Sequence, residues 1–223
     1  MPKIKPMVLA AVLLGTVLPG TALADITYTM PADGWVYIGR LNDEIYLAYS
    51  DTGEQCTLKR LSTVAWLVEH VRINGSQGND FIAVAAYSSF NVCGHTLGPI
   101  PFGTNGKTLT IDGKGGADII HGGLITGLLY GGGGGDFLRT DHPETAFIFG
   151  GSGNDHISTS SFAGYLFGES GNDTVCVLNE QRIAFVLDGG THAISPPGGD
   201  RRCGDTPLGT TGFESTGCAG YCF

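Results

Sequence analysis

Charge is scarce in this chain, and basic charge scarcest: 15% of its 223 residues are charged, and 12 Lys and Arg face 21 Asp and Glu, for a net charge of -9. That deficit excludes the phosphate-binding surfaces that nucleic acids and anionic membranes require, and it points to a cation as partner. Long apolar runs are missing beyond the N-terminus, so no later segment approaches the roughly 20 residues needed to span a bilayer. Catalytic signatures are missing too. There is no HExxH, of which Val68-Glu-His-Val71 is a fragment, and no GxSxG elbow. Gly131 to Gly135 lack the Lys-Ser/Thr pair that would engage phosphates and magnesium. No CxxC pair or Cys/His cluster has zinc spacing, and the histidines at 70, 95, 121, 142, 156 and 192 are scattered. What abounds is glycine: 37 residues, more than twice the usual share of about 7%, which argues against a helical bundle.

Residues 1–24 have the three parts of a secretory signal peptide. Lys3 and Lys5 are the charged region, Met7 to Leu18 the apolar stretch, and Ala22-Leu23-Ala24 the small-x-small cleavage site. Removing them takes away two basic residues and no acid, so the mature chain from Asp25 carries net charge -11. All six cysteines lie in that chain, and an even number in an exported protein reads as three disulfides. Proximity favours Cys56 with Cys93, Cys176 with Cys203, and Cys218 with Cys222, among the 15 pairings that six cysteines allow.

From Ile111 onward the sequence has an internal period of nine. Three copies are sharp: Gly131-Gly-Gly-Gly-Gly-Asp136-Phe-Leu-Arg139, Gly150-Gly-Ser-Gly-Asn-Asp155-His-Ile-Ser158 and Gly168-Glu-Ser-Gly-Asn-Asp173-Thr-Val-Cys176. Gly113-Lys-Gly-Gly-Ala-Asp118-Ile-Ile-His121 is a fourth, and Gly75-Ser-Gln-Gly-Asn-Asp80-Phe-Ile-Ala83 an isolated fifth. The eighth position is always aliphatic: Ile111, Ile120, Leu129, Leu138, Ile148, Ile157, Leu166, Val175. One inward side chain therefore recurs per half-coil, with the seventh and ninth outward because side chains alternate across a strand. Aliphatic residues kept in phase this long also argue against a disordered Gly/Asn-rich run. Two half-coils make a rung of about 18 residues. Asp118, Asp136, Asp155 and Asp173 are 18, 19 and 18 apart and fall on one edge, while the intervening half-coils put Gly127, Ala146 and Gly164 at the aspartate position. Asp80 lies 38 residues before Asp118, a distance that reads as two rungs.

Carboxylates stacked at the roughly 4.8 Å spacing of adjacent strands repel one another unless a cation lies between them. Calcium accepts six to eight oxygens in flexible geometry and tolerates backbone carbonyls, whereas magnesium prefers a tighter octahedron. No imidazole or thiolate occupies the turn positions, which disfavours zinc and copper.

These units resemble the hemolysin-type calcium-binding repeat of the RTX family, whose pattern is G-G-x-G-x-D-x-U-x with U a large aliphatic residue. The resemblance implies about three calcium ions. Each would be held by carbonyls of positions two and four and the aspartate of one loop, with carbonyls of positions one and three and the aspartate of the next. It thus implies one site from Lys114, Gly116, Asp118, Gly131, Gly133 and Asp136. A second would use Gly132, Gly134, Asp136, Gly150, Ser152 and Asp155, and a third Gly151, Gly153, Asp155, Gly168, Ser170 and Asp173. Lys114 stands where the pattern has glycine, so the first site is expected to be weakest. RTX proteins generally leave the cell by a C-terminal signal and hold few cysteines; this chain departs on both counts.

The expected architecture is all-β: a parallel β-roll or narrow β-solenoid over residues 73–190, an N-terminal β-rich cap over 25–72 and a loop-rich, disulfide-stapled tail over 191–223. The expected function is a secreted, extracellular calcium-binding protein with a structural or binding role and no catalysis of its own. Two alternatives stand beside it. One is an adhesion module binding a glycan or protein surface through an outer aromatic face that includes Phe147, Tyr165 and Phe167. The other is a polysaccharide-active enzyme using His121 and Arg139.

Overall fold

The computed structural model describes residues 24–50, 55–62, 68–85, 89–100, 108–123, 127–140, 145–160, 163–177, 184–190, 201–203, 210–211 and 215–216. All but Ala24 of the segment read as a signal peptide, and the Cys218 and Cys222 pair, lie outside them. All regular structure among the described residues is β.

Two sheets face each other. In hydrogen-bonding order, the first runs Ala24–Thr29, Val68–Asn74, Thr108–Asp112, Gly127–Gly133, Thr145–Ser152, Ala163–Ser170, Ala184–Asp188 and Thr210–Thr211, every pair parallel. The second runs Thr57–Ser62, Glu44–Ser50, Gly34–Leu41, Asp80–Val84, Ile119–His121, Phe137–Thr140, His156–Thr159, Thr174–Val177, Arg201–Cys203 and Ser215–Thr216. The chain alternates between the sheets and advances one strand each time, which is a β-roll. Register follows the nine-residue period: Leu129 pairs with Ile111 and Ile148, and Leu138 with Ile120 and Ile157. All eight aliphatic positions from Ile111 to Val175 are at most 1% exposed and form one core with Ile73 and Ile82.

The N-terminal region joins the stack instead of sitting over it. Ala24–Thr29 and Gly34–Leu41 are the two strands of a first rung, paired in parallel with Val68–Asn74 and Asp80–Val84. Gly34–Leu41 then turns back on Glu44–Ser50 through Asn42 and Asp43, both at positive φ, the backbone of a tight hairpin turn. Thr57–Ser62 adds a third, antiparallel strand. At the other end, the region expected to be loops contributes three more short strands to the sheets.

One expectation about rung count is corrected. The strands of the Gly75–Asp80 loop pair directly with those of Gly113–Asp118: Asn74 with Asp112, and Phe81 with Ile119. The 38-residue separation is therefore one rung plus an excursion. Part of that excursion is a hairpin, Phe90–Val92 with His95–Leu97, whose following Gly98 exchanges backbone hydrogen bonds with Arg40. A disulfide ties Cys56 to Cys93, the pairing that proximity suggested. Cys176 is disulfide-bonded as well and lies opposite Cys203 in register.

Candidate metal centre

Among the described residues, the passages from the first sheet to the second turn through the acidic edge. In three successive turns, Gly131–Asp136, Gly150–Asp155 and Gly168–Asp173, the glycine ending one strand and the aspartate beginning the next are held by the sheets on either side. The aspartates stack in a column, and Asp80, Asp118, Asp136, Asp155 and Asp173 are all at most 3% exposed. One oxygen of each carboxylate is engaged along the stack. Asp118 Oδ1 accepts the Asp80 N–H, Asp136 Oδ1 that of Asp118, Asp155 Oδ1 that of Asp136, and Asp173 Oδ1 that of Asp155, each at 2.8 Å.

The second oxygens have a different environment. Oδ2 of Asp118, Asp136 and Asp155 is buried and has no hydrogen-bond partner. Such an atom costs about 1–3 kcal/mol or more if nothing compensates it. A methyl group placed on Gly131 would lie 2.4 Å from Asp136 Oδ2 and 2.4 Å from the Gly150 carbonyl oxygen. On Gly150 it would lie 2.5 Å from Asp155 Oδ2 and 2.7 Å from the Gly168 oxygen, and on Gly113 2.3 Å from Asp118 Oδ2 and 2.4 Å from the Gly131 oxygen. A carboxylate oxygen of one rung and a carbonyl oxygen of the next thus converge over the first glycine of each loop. Only a residue without Cβ leaves that space open.

Carbonyls of one loop also abut positions two and four of the next. The Lys114 oxygen lies 2.3 Å from a methyl built on Gly132, the Gly116 oxygen 1.9 Å from one on Gly134, the Gly132 oxygen 2.0 Å from one on Gly151 and the Gly134 oxygen 1.9 Å from one on Gly153. The position-three oxygens of Ser152 and Ser170 accept the N–H groups of Gly134 and Gly153, both at 2.7 Å. Gly133 donates to the Lys114 oxygen, and the Gly151 oxygen accepts the Ser170 hydroxyl. All sixteen residues singled out in the sequence lie on one edge, in four successive turns. Lys114 turns its ammonium away into an ion pair with Asp112 at 2.6 Å. Its backbone takes the positive φ, 78°, that Gly132 also has at 108°.

Electrostatics match this geometry. Desolvation, reinforced by neighbouring carboxylates, pushes the Asp118 and Asp155 carboxyls up to about 7, and burial raises Asp136 too. Among the described residues no three His, Cys, Asp or Glu side chains gather as metal ligands. Backbone oxygens must fill most of any coordination sphere here, a donor set that suits a hard cation of flexible geometry.

The family model of the RTX calcium-binding nonapeptide repeat, in four copies, matches residues 110–124 and 149–176. This chain carries RTX calcium-binding repeats. No curated protein and no solved structure matches it. The RTX match omits Gly131–Asp136, although that loop has the same strand register and the same Oδ1 and Oδ2 arrangement as its neighbours.

The Gly75–Asp80 loop has the motif's letters and a different backbone. Ser76 and Gly78 lack the positive φ found at positions two and four of the later loops. The Ser76 N–H consequently turns inward and donates to Asp80 Oδ2 at 2.6 Å, while Oδ1 accepts the Gly34 N–H at 3.1 Å. The Ser76 hydroxyl lies 3.2 Å from both Asp80 Oδ1 and Asp33 Oδ1. Asp33 covers Gly78 where, in later loops, the carbonyl of a preceding loop stands. Sequence reading missed Asp33, Ser76 and Gly34, because only the first rung's register reveals them. It also missed Asn79 and Asn154, whose Oδ1 atoms accept the N–H of Ala117 and Asn172 in the next rung; asparagine recurring before the aspartate was the available signal.

On the outer face of the first sheet the expected aromatic rows exist. Tyr130, Phe149 and Phe167 stack with centroids 4.9 and 5.2 Å apart, and Phe147 stacks on Tyr165 at 4.9 Å. Stacking along the roll axis covers ring faces with one another and leaves ring edges outward. Tyr165 remains 42% exposed. Whether the tail crosses this face concerns residues outside those described. His121 and Arg139 are register partners on the other sheet.

Proposed function

We propose that the acidic edge binds calcium in the three gaps between the loops Gly113–Asp118, Gly131–Asp136, Gly150–Asp155 and Gly168–Asp173, and that the protein is a secreted, non-catalytic calcium-binding β-roll. The observation that carries this is the buried, partnerless Oδ2 of Asp118, Asp136 and Asp155, each converging with a carbonyl oxygen of the next loop. Asp118 and Asp136 would flank the first ion with oxygens of Lys114, Gly116, Gly131 and Gly133. Asp136 and Asp155 would flank the second with Gly132, Gly134, Gly150 and Ser152, and Asp155 and Asp173 the third with Gly151, Gly153, Gly168 and Ser170. When bound, calcium supplies the positive charge that offsets stacked carboxylates in a desolvated column.

The chain's part is to hold ionised carboxylates and aimed carbonyls at strand spacing, so that binding free energy becomes folding free energy. The Cys56–Cys93 disulfide supports an oxidising, extracellular setting. Among the described residues no helix is long and apolar enough to cross a membrane. Calcium titration of Asp25 to Phe223 by calorimetry, with circular dichroism in parallel, tests the reading. About three ions bound with a gain of β signal, both lost in Asp155→Ala, is the expected result; no heat of binding to an already folded chain would overturn it.

A second reading rests on the exposure of Tyr165. The face bearing Phe147, Tyr165 and Phe167 would hold a glycan or protein partner through ring edges and the tyrosine hydroxyl. Alanine at those three positions would then abolish partner binding and leave calcium affinity unchanged.

A further inference from the structure

We infer that the N-terminal rung and its hairpin form a calcium-independent seed on which the calcium-dependent rungs are laid down in order, from the Gly113 loop toward the C-terminus. The inference rests on the calcium reading of the later loops and adds a direction and a starting point to it.

Three observations carry it. The first is the contrast in satisfaction along one column. Both oxygens of Asp80 receive backbone N–H groups, from Gly34 and Ser76, whereas one oxygen of Asp118, Asp136 and Asp155 receives none. A carboxylate with two N–H donors is stabilised in its ionised form without a cation. The acidic column is thus closed at its N-terminal end by the protein itself.

The second is packing. Val36, Ile38, Ile45, Leu47, Ile82, Val84, Leu97 and Ile100 are all at most 1% exposed. The antiparallel strands Gly34–Leu41, Glu44–Ser50 and Thr57–Ser62 give this end a local hairpin core that, among the described residues, the single-file rungs beyond Asp112 lack. The third is covalent. Cys56–Cys93 joins the hairpin region to the excursion, and Gly98 pairs with Arg40, so the two sides of the seed are clamped where no carboxylate is involved.

The seed also presents a ready template. The Asp80 N–H faces Asp118 Oδ1, and Asn79 Oδ1 faces the Ala117 N–H. Asn74 and Phe81 offer strand edges to Asp112 and Ile119. A new rung thereby finds its register before any ion is bound. Nucleating a rung elsewhere would mean burying partnerless carboxylates on both sides at once.

Hydrogen exchange read by mass spectrometry on the mature, disulfide-intact chain tests this, first in chelator and then across a calcium titration. In chelator, amides of Gly34–Ser50 and Asp80–Val84 should exchange at least about tenfold more slowly than those of Phe137–Thr140 and His156–Thr159, reflecting separate opening equilibria. Calcium should then protect the later strands in chain order, at rising concentrations. Uniform exchange in chelator, or protection that arrives simultaneously or from the C-terminal side, overturns the seed while leaving calcium binding intact. Exchange that ignores calcium throughout overturns the calcium reading instead. In Asp80→Asn, the amide nitrogen opposes one of the two donors, Ser76 or Gly34, so the chelator-resistant protection should fall and the calcium requirement of the first later rung should rise. In Asp155→Asn the chelator-resistant protection should persist while the strands around residue 155 stay unprotected.

Discussion

The loops Gly75–Asp80 and Gly131–Asp136 share a motif, a register and a buried aspartate, and they differ in what satisfies that aspartate. In the first, Ser76 and Gly78 keep away from positive φ, and backbone N–H groups close on the carboxylate. In the second, Gly132 and Gly134 have φ of 108° and 125°, their carbonyls turn along the roll, and Asp136 Oδ2 is left without a hydrogen-bond partner. The lesson is that the nonapeptide letters specify a stackable turn. Whether the turn is a metal ligand depends on the peptide orientation at positions two and four, and on what lies in the preceding rung.

The strongest test of the contrast is Asp136→Asn, which keeps an acceptor for the Asp118 N–H and removes the charge shared by two gaps. Two of the three ions should be weakened by more than about 100-fold in titration calorimetry, beyond the roughly 10–100-fold cost of losing an outer-shell partner. Asp80→Asn should leave the stoichiometry unchanged. Next in size is Gly131→Ala, which puts a methyl 2.4 Å from both Asp136 Oδ2 and the Gly150 oxygen. It should cost about 1–3 kcal/mol of stability in calcium, measured by thermal unfolding, and abolish binding in the gap it fills.

Acidity gives a handle on the later loops. Asp118 and Asp155 are raised from the ordinary carboxylate range to about 7 without metal. A group raised on folding holds its proton longer in the folded state, so metal-free stability is fullest below the ordinary carboxylate range and is lost as pH rises toward 7. Calcium needs the ionised form, so its apparent affinity should rise over the same interval. Unfolding temperatures at pH 5 and pH 8 should therefore move in opposite directions with chelator and with calcium; parallel shifts would refute the assignment. The smallest effect is expected from Ser76→Gly. It should lower chelator-resistant stability by about 0.5–1 kcal/mol, the backbone-entropy cost of glycine, with no ion lost.

Much of this was legible in the chain. The aliphatic series from Ile111 to Val175 determined which side chains face inward, and the 18-, 19- and 18-residue intervals placed four aspartates on one edge. The aromatic rows followed from the same phase. What periodicity could not supply was anything off the period. The 38-residue gap looked like two rungs because length alone cannot distinguish a rung from an excursion. Asp33 and Gly34 carry no motif and acquire their roles only by lying over Gly78 and Asp80. The inward N–H of Ser76 is a matter of one dihedral angle, and a serine at that position is compatible with either orientation.

Between Gly75 and Asp173, the irregular lengths of the roll share a location. The extra residue of the 19-residue step falls between Thr140 and Thr145, and the excursion falls between Val84 and Thr108. Both are on the side where the chain returns from the second sheet to the first. A book behaves this way: its spine holds every page at one spacing, while tabs can project from the fore-edge. The acidic edge is the spine, and its pitch is set by oxygens that must meet across each gap. The fore-edge can therefore take on foreign sequence, as it already has in Phe90–Leu97, without changing the pitch of the spine.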